Sequence, residues 1–525
     1  MPVVRLITRL DYKDIVEGFL PTERYHIWLV DAATGGARQL TEGDDHQDLS
    51  PCWSPDGREI AFISNRSPEP DLTPYDNDIY VMMVSDGDLS KLETPPGQKD
   101  GISYSPDGRW LAYHCDMAPA DIQYHKEKRQ PAVWIVPADG TGKAQKVTEP
   151  FDVEVGNWIY GDVNGDFVAP TTPPTWSQDS GILHFEVDDH GKQSLMSLAV
   201  GRKGSKLETI IGDKGAVVGF TLDKKGERLA YIWGDEKNPA DVWVRDMTTG
   251  KSRQLTSINA DLLSARKLGE IEEVRVPGPS GNELQGWVLK PPDFDETKKY
   301  PMVLLIHGAP AQWGYLFVFH CQFLAANGYV VTYCNPRGSM GYGREYRNAV
   351  ENVGPSACYD DLMAWVDAVE KKPYVDRERM GVSGISYGGL MTNWIIGHTD
   401  RFKAAVPISS ISNWVSQYGT SDLWWMMEQG VGWGRTPWND FDDYWRYSPI
   451  KYIGNAKTPT LIIHSEGDYR CCLEQAEQVF TALRRQGVDT EMLLLPEESH
   501  IPRRVDRQVA VGSHMLRWFD RYLKE

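Results

Sequence analysis

The sequence predicts a β-propeller, incomplete and of about five blades, followed by a mostly parallel α/β sheet covered by helices on both faces. Three observations carry this. In the first half, hairpin-like segments recur about every 50–60 residues, the spacing of propeller blades. In the second half, short apolar runs alternate with amphipathic helical ones. Between the halves the repeat stops after Thr256, which places a boundary near residue 260 and gives domains 1–260 and 261–525.

The repeats come in two kinds. Segments 51–64, 102–114, 174–187 and 218–233 share an aromatic or apolar entry, a Ser-Pro-Asp-Gly-like turn and a strand. Asp56-Gly57 and Asp107-Gly108 supply the residue that tolerates positive φ at such a turn. Asp179-Ser180 and Lys225-Gly226 are weaker copies. Segments 27–41, 79–93, 133–148, 195–211 and 242–256 share a strand, a Gly turn and a second strand. Five blade ends but four blade beginnings imply a chain that starts inside a blade. Unpaired strand edges would remain, so self-association or a partner covering that edge is expected.

The second half reads in order. A leading hairpin covers 271–276 and 281–290, and 302–306 is a buried central strand. Helices are expected at 359–369, Glu474–Arg485 and Val505–Leu523, with strands at Ala404–Ile408, 458–464 and 492–495. Between the strand Met380-Gly381-Val382-Ser383 and a helix at 388–398 lies Gly384-Ile385-Ser386-Tyr387-Gly388. A Gly-x-Ser-x-Gly in that context is the nucleophile elbow of an α/β-hydrolase domain: the sharp turn pushes the Ser386 hydroxyl out over the sheet.

A serine hydroxyl needs a base, and the base needs a carboxylate to fix its tautomer. In this fold acid and then histidine follow the serine in the chain. His500 sits in a polar loop just past a strand, where a base belongs. His514 lies inside the terminal helix, and His464 reads as a packed strand-end residue. Asp468, in the turn after the strand at 458–464, is the expected acid, with Glu466 its near competitor. Asp422, Asp440, Asp442 and Asp443 fall in a Trp-rich stretch and read as loop charges and caps. The oxyanion hole needs two backbone N–H groups, expected from Tyr387 and from Ala309 in the loop His307-Gly308-Ala309-Pro310.

Five pieces in this order resemble the prolyl oligopeptidase family of serine peptidases, closest to its acylaminoacyl-peptidase and dipeptidyl-peptidase-like branch. They are His307-Gly308-Ala309-Pro310, Asn335-Pro336-Arg337-Gly338-Ser339 with Gly341-Tyr342-Gly343, residues 384–389, Asp468-Tyr469-Arg470, and Glu498-Ser499-His500. The resemblance implies cleavage of short peptides at a buried site whose access a propeller restricts. It also implies about seven blades, so roughly two would be absent here. By the same resemblance Arg470 orients substrate, with a structural ion pair as its alternative. The sequence departs from the family in having Ala309 for a second glycine, Cys472 where proline is frequent, and Ile501-Pro502 after the histidine. A carboxylesterase with the same triad and a propeller binding module on an inactive hydrolase are the competing readings.

The stretch 414–438 carries Trp414, Tyr418, Trp424, Trp425, Trp433 and Trp438. It is expected to wall an apolar specificity pocket, against the alternative of a packed cap under the propeller. Composition bounds the rest. Fifty-five basic against 74 acidic residues give a net charge of −19, which disfavours nucleic acid. The seven cysteines show no disulfide spacing, and Cys471-Cys472 read as small packed residues. The first residues carry no signal-peptide pattern, and no apolar run reaches the ~18 residues of a membrane span. A cytoplasmic enzyme without metal or cofactor is expected, with a peptide as its substrate partner. Asp162-Val163-Asn164-Gly165-Asp166 only faintly resembles a calcium loop and reads as a hairpin turn.

Overall fold

The structure, a computed structural model, describes residues 4–74, 76–116, 130–162, 172–202, 204–350, 354–430 and 435–525. The first half is a series of antiparallel sheets. Trp28–Val30 and Ala37–Gln39 form a two-stranded fragment. Four strands between Asp48 and Lys91 make the next blade, and four between Gln98 and Lys146 the one after. Two further blades, running from Glu154–Val155 to Ser252–Gln254, are joined into one sheet by a single parallel bridge between Gln193 and Ala216.

One local device builds three of the blade turns. Ser54 Oγ donates to Asp56 Oδ1 at 2.8 Å and accepts from Glu59 N at 2.9 Å, while Gly57 takes φ 71°. Ser105, Asp107 and Gly108 repeat it. Ser177 and Asp179 repeat it with Ser180 at φ 59°, so the weaker copy holds the same shape at a cost in backbone strain. Successive blades stack by their apolar faces: Ile63, Val81, Leu111 and Val136 share one cluster.

The second half is one eight-stranded sheet. Its strands are β1 (Ile271–Pro277), β2 (Glu283–Leu289), β3 (Tyr300–Ile306), β4 (Val330–Cys334), β5 (Val375–Ile385), β6 (Ala404–Ile408), β7 (Thr460–Ser465) and β8 (Thr490–Leu495). Their spatial order is β1-β2-β4-β3-β5-β6-β7-β8, parallel from β4 onward. Buried parallel strands are apolar on both faces. Met302, Leu304 and Ile306 face one core with helices α2 (Pro355–Val369), α3 (Tyr387–His398) and α4 (Glu474–Arg485). Val303 and Leu305 face the other, with α1 (Phe319–Ala326) and α5 (Val505–Leu523). Helix α2 begins four residues before the expected Tyr359, because Pro355 suits the first helical turn, where no N–H partner is needed.

The two halves touch backbone to backbone. Gly314 lies so close to Gly191 that a side-chain carbon on it would stand 2.1 Å from Gly191 O. Tyr315 N donates to that same oxygen at 2.8 Å. Among the described residues no helix is long and apolar enough to cross a membrane.

Candidate active site

Strand β5 ends at Ile385 and helix α3 starts at Tyr387, leaving Ser386 alone in the turn at φ 59° and ψ −119°. A non-glycine residue held there costs on the order of 1–3 kcal/mol, a strain the surrounding packing must sustain. The flanking glycines are steric necessities. A side-chain carbon on Gly388 would sit 2.1 Å from Ile306 O, and one on Gly384 would sit 2.4 Å from Gly388 O. The motif therefore seats the elbow tightly against β3.

Asp468 follows β7 and His500 follows β8, so three loops at the carboxyl ends of parallel strands supply the expected residues. His500 Nδ1 donates to Asp468 Oδ2 at 2.7 Å, and both side chains are buried. The other oxygen of Asp468 accepts the N–H groups of Arg470 and Cys471 at 2.9 and 2.8 Å. A carboxylate so held presents one oxygen to the imidazole and fixes its tautomer. Consecutive residues at the end of β6 tie base to nucleophile. Ile408 O accepts the Ser386 N–H at 3.0 Å, and Ser409 Oγ donates to His500 O at 2.9 Å. Burial pushes the pKa of the Cys471 thiol far up.

The Tyr387 N–H opens α3, where helical geometry offers no intrahelical acceptor. Among the described residues neither it nor the exposed Ala309 N–H meets an acceptor. The loop carrying Ala309 is braced on all sides. His307 Nε2 lies 3.0 Å from Ser339 Oγ, and burial lowers the His307 pKa to about 4, so the ring is neutral. Asn335 exchanges two hydrogen bonds with the Trp313 backbone, at 2.7 and 2.8 Å. The Asn335-Pro336-Arg337-Gly338-Ser339 motif thus props the loop that carries Ala309, and Arg337 is itself pinned by Asp361.

Other sequence-predicted residues fall less centrally. Arg470 spends its guanidinium on Asp422, through bonds of 2.7 and 3.0 Å. Trp414 and Tyr418 are buried in the core shared with α3, while Trp424 and Trp425 are half-buried. Trp433 lies outside the described residues, as do residues 163–166 of the Asp162 loop. His464 is fully buried, with Nε2 2.6 Å from Cys471 O and 3.6 Å from Asp468, so it backs the acid. His514 is half-buried on α5. Asp440 and Asp443 pair with Arg435. Among the described residues no His, Cys, Asp and Glu cluster is arranged to hold a metal.

Two features escaped the sequence reading. Gln312 joins the loop after β3 to the propeller: Nε2 donates to Asp188 Oδ1 at 2.8 Å and Oε1 accepts from Gly191 N at 2.8 Å. No local pattern signals this, since Asp188 is 124 positions away. The second is a small hairpin, Lys13–Asp14 with Gly18–Phe19, which lies across the acid and base loops. Phe19 packs edge-on against Tyr469, Lys13 Nζ donates to Thr420 O, and Ser499 Oγ donates to Ile15 O.

A parallel sheet in this strand order, with a serine elbow and an antiparallel blade array before it, defines the class of propeller-bearing α/β-hydrolases. The family model described as the prolyl oligopeptidase family matches residues 315–525. The uncharacterized peptidase YuxL of Bacillus subtilis is 32% identical over 527 residues, 98% of this chain and 77% of that protein. The chain belongs to the prolyl oligopeptidase family of serine peptidases. Dipeptidyl-peptidase 5 of Porphyromonas gingivalis is 28% identical over 490 residues, covering 90% of this chain. The chain spans 66% of that relative, just under two thirds of its length. Among solved structures, an acylaminoacyl peptidase in complex with Z-Gly-Gly-Phe-chloromethyl ketone superposes with a TM-score of 0.83 at 25% identity, over 99% of this chain and 77% of its own.

Proposed function

We propose that the protein hydrolyses short peptides through an acyl-enzyme formed on Ser386, with His500 as general base, Asp468 as its orienting carboxylate and the Tyr387 and Ala309 N–H groups as oxyanion donors. The observation that carries this is the 2.7 Å bond from His500 Nδ1 to the doubly anchored Asp468, at the same sheet edge as the strained Ser386. Ser386 Oγ attacks the peptide carbonyl carbon as its proton passes to His500 Nε2. The oxyanion collapses, the C–N bond breaks, and His500 returns the proton to the departing amine. Water then repeats the sequence on the ester and frees the acid.

Ser386→Ala should lower turnover by ~10⁶, by analogy with other triads, and abolish labelling by a fluorophosphonate probe. Retention of most activity would remove the assignment. The relatives' names divide over the amino terminus, one group being called dipeptidyl-peptidase and another acylaminoacyl peptidase. A panel of free dipeptidyl and N-blocked aminoacyl anilides sorts the chain between them. Hydrolysis of p-nitrophenyl esters with no anilide cleaved would instead favour an esterase.

A further inference from the structure

A cavity of about 520 Å³ lies beside the catalytic loops and belongs to none of the roles above. Its walls include the residues that flank three catalytic positions in the chain. Ile306 precedes the oxyanion loop, Ile385 precedes Ser386, and Ile501 follows His500. Trp313, Val318 and Met515 line it on the α1–α5 side of the sheet, and Asp162, His320, Arg503 and Gln508 add polar groups to an otherwise mostly apolar wall. Propeller residues Tyr160 to Asp162 also line it. Its volume falls within the range of sites that enclose small organic groups, roughly 300–1,000 Å³.

The position of this cavity relative to the nucleophile gives it a chemical assignment. Ser386 stands between two apolar regions. On one side Tyr387 packs on the core of Trp414, Tyr418 and Trp424, against the α2–α3–α4 face. On the other side is the cavity, against the α1–α5 face. The Tyr387 N–H holds the carbonyl oxygen, whereas His500 hands its proton to the departing amine, so the leaving half of the substrate lies on the histidine side. The loop running on from His500 is itself cavity wall, through Ile501, Pro502 and Arg503. We infer that this cavity receives the side chain of the first residue on the leaving-group side of the scissile bond, and that it selects bulky apolar or aromatic residues there. The inference rests on the peptidase reading above. It also gives a role to Ile501-Pro502, the apolar pair whose presence after the histidine stood out in the sequence.

The test needs only substrates at first. On the wild-type protein, peptides identical on the acyl side and carrying Gly, Asp, Leu or Phe as the leaving residue are compared by kcat/KM. Leu and Phe should exceed Gly by about 10–200-fold, the discrimination an apolar pocket can supply, and Asp should be poorest. The second arm is Val511→Phe, which places a ring in the cavity from helix α5. It should erase most of the Leu and Phe advantage while leaving kcat/KM for the matching methyl ester, whose leaving group is methanol, within about twofold. Equal rates for Gly and Phe peptides in the wild type overturn the inference, as does an equal loss on ester and Phe peptide in the variant. Ester and anilide turnover with indifference to the leaving residue would overturn the cavity assignment alone. Absence of all peptide cleavage would overturn the peptidase reading together with it.

Discussion

Glu186 is 3% exposed in the middle of the strand Ile182–Asp189, and among the described residues its carboxyl meets the Thr172 hydroxyl and the Gln193 amide, each at 3.5 Å, and the Gly219 N–H. Burial raises its pKa to about 8, so the folded protein holds a neutral acid where the unfolded chain has a charged one. The sign follows directly. The folded state binds the extra proton, so this stability is full below about pH 4.5 and is lost as pH rises through about 8. Glu186→Gln keeps the shape and removes the titration. Its melting temperature should exceed that of the wild type by a margin that widens from about pH 5 to about pH 9, measured by scanning fluorimetry. A constant margin would mean that Glu186 does not titrate in this window. Burial also pushes up Glu154 and Asp188, so the wild-type-minus-variant difference reads Glu186 together with its coupling to Asp188. Residues differ greatly in how readable they are. The elbow is legible because Gly384 and Gly388 answer a local steric demand, and Asp468 and His500 because strand ends fix where such groups stand. Glu186 is illegible, since its chemistry arises from blades that bury it and a strand alone says nothing of that.

At the scale of elements, the loop after β3 is the instructive piece. Its motif residues were readable, but its support was not. Gln312 N donates to Trp158 O at 2.9 Å and Gln312 O accepts from Tyr160 N at 2.7 Å, while Asp188 ties Trp158 and the Gln312 side chain together. Gln312 and Asp188 thus brace the loop that carries Ala309, and on the reading proposed above they position its N–H. Outright loss of an oxyanion donor costs about 10²–10³ in kcat, so loosening its loop through Gln312→Ala should cost roughly 10- to 100-fold. The loss should appear in kcat with KM little changed, because the donor acts on charge that develops only in the transition state. Asp188→Ala should act alike, and the double variant should be little worse than either single one. Additive losses would mean that the two residues act separately. The Trp-rich stretch teaches the converse. Its aromatic content was plain in the sequence, yet Trp414 and Tyr418 went into the core, because spacing alone does not say which ring a following helix will cover.

For the whole molecule, the first blade fragment sets the surface character. Ile27 packs inward on Phe62 and Tyr80, while Trp28 and Val30 point outward at 56% and 57% exposure. On the first strand of the next sheet, Asp48–Trp53, Leu49 and Trp53 are 45% and 47% exposed. Scattered apolar residues are ordinary on a surface, but Trp28 and Val30 stand side by side on one face of one strand. We predict self-association through this face. Light scattering should give a mass near twice 59.3 kDa for the wild type, and Trp28→Lys with Val30→Lys should return it to the single-chain value. A wild type that stays at 59.3 kDa across micromolar concentrations would count against it. The blade repeat was legible because three of its turns share one Ser-x-Asp device. The way blade and sheet meet was not, since it depends on single atoms far apart in the chain. At the Gly191–Gly314 junction the two main chains approach too closely for any side chain to intervene. A chimaera that transplants a foreign propeller onto this hydrolase must therefore import a glycine at that junction, or the catalytic half will be wedged away from its roof. Exchange of modules between relatives is constrained less by matching surfaces than by one missing carbon.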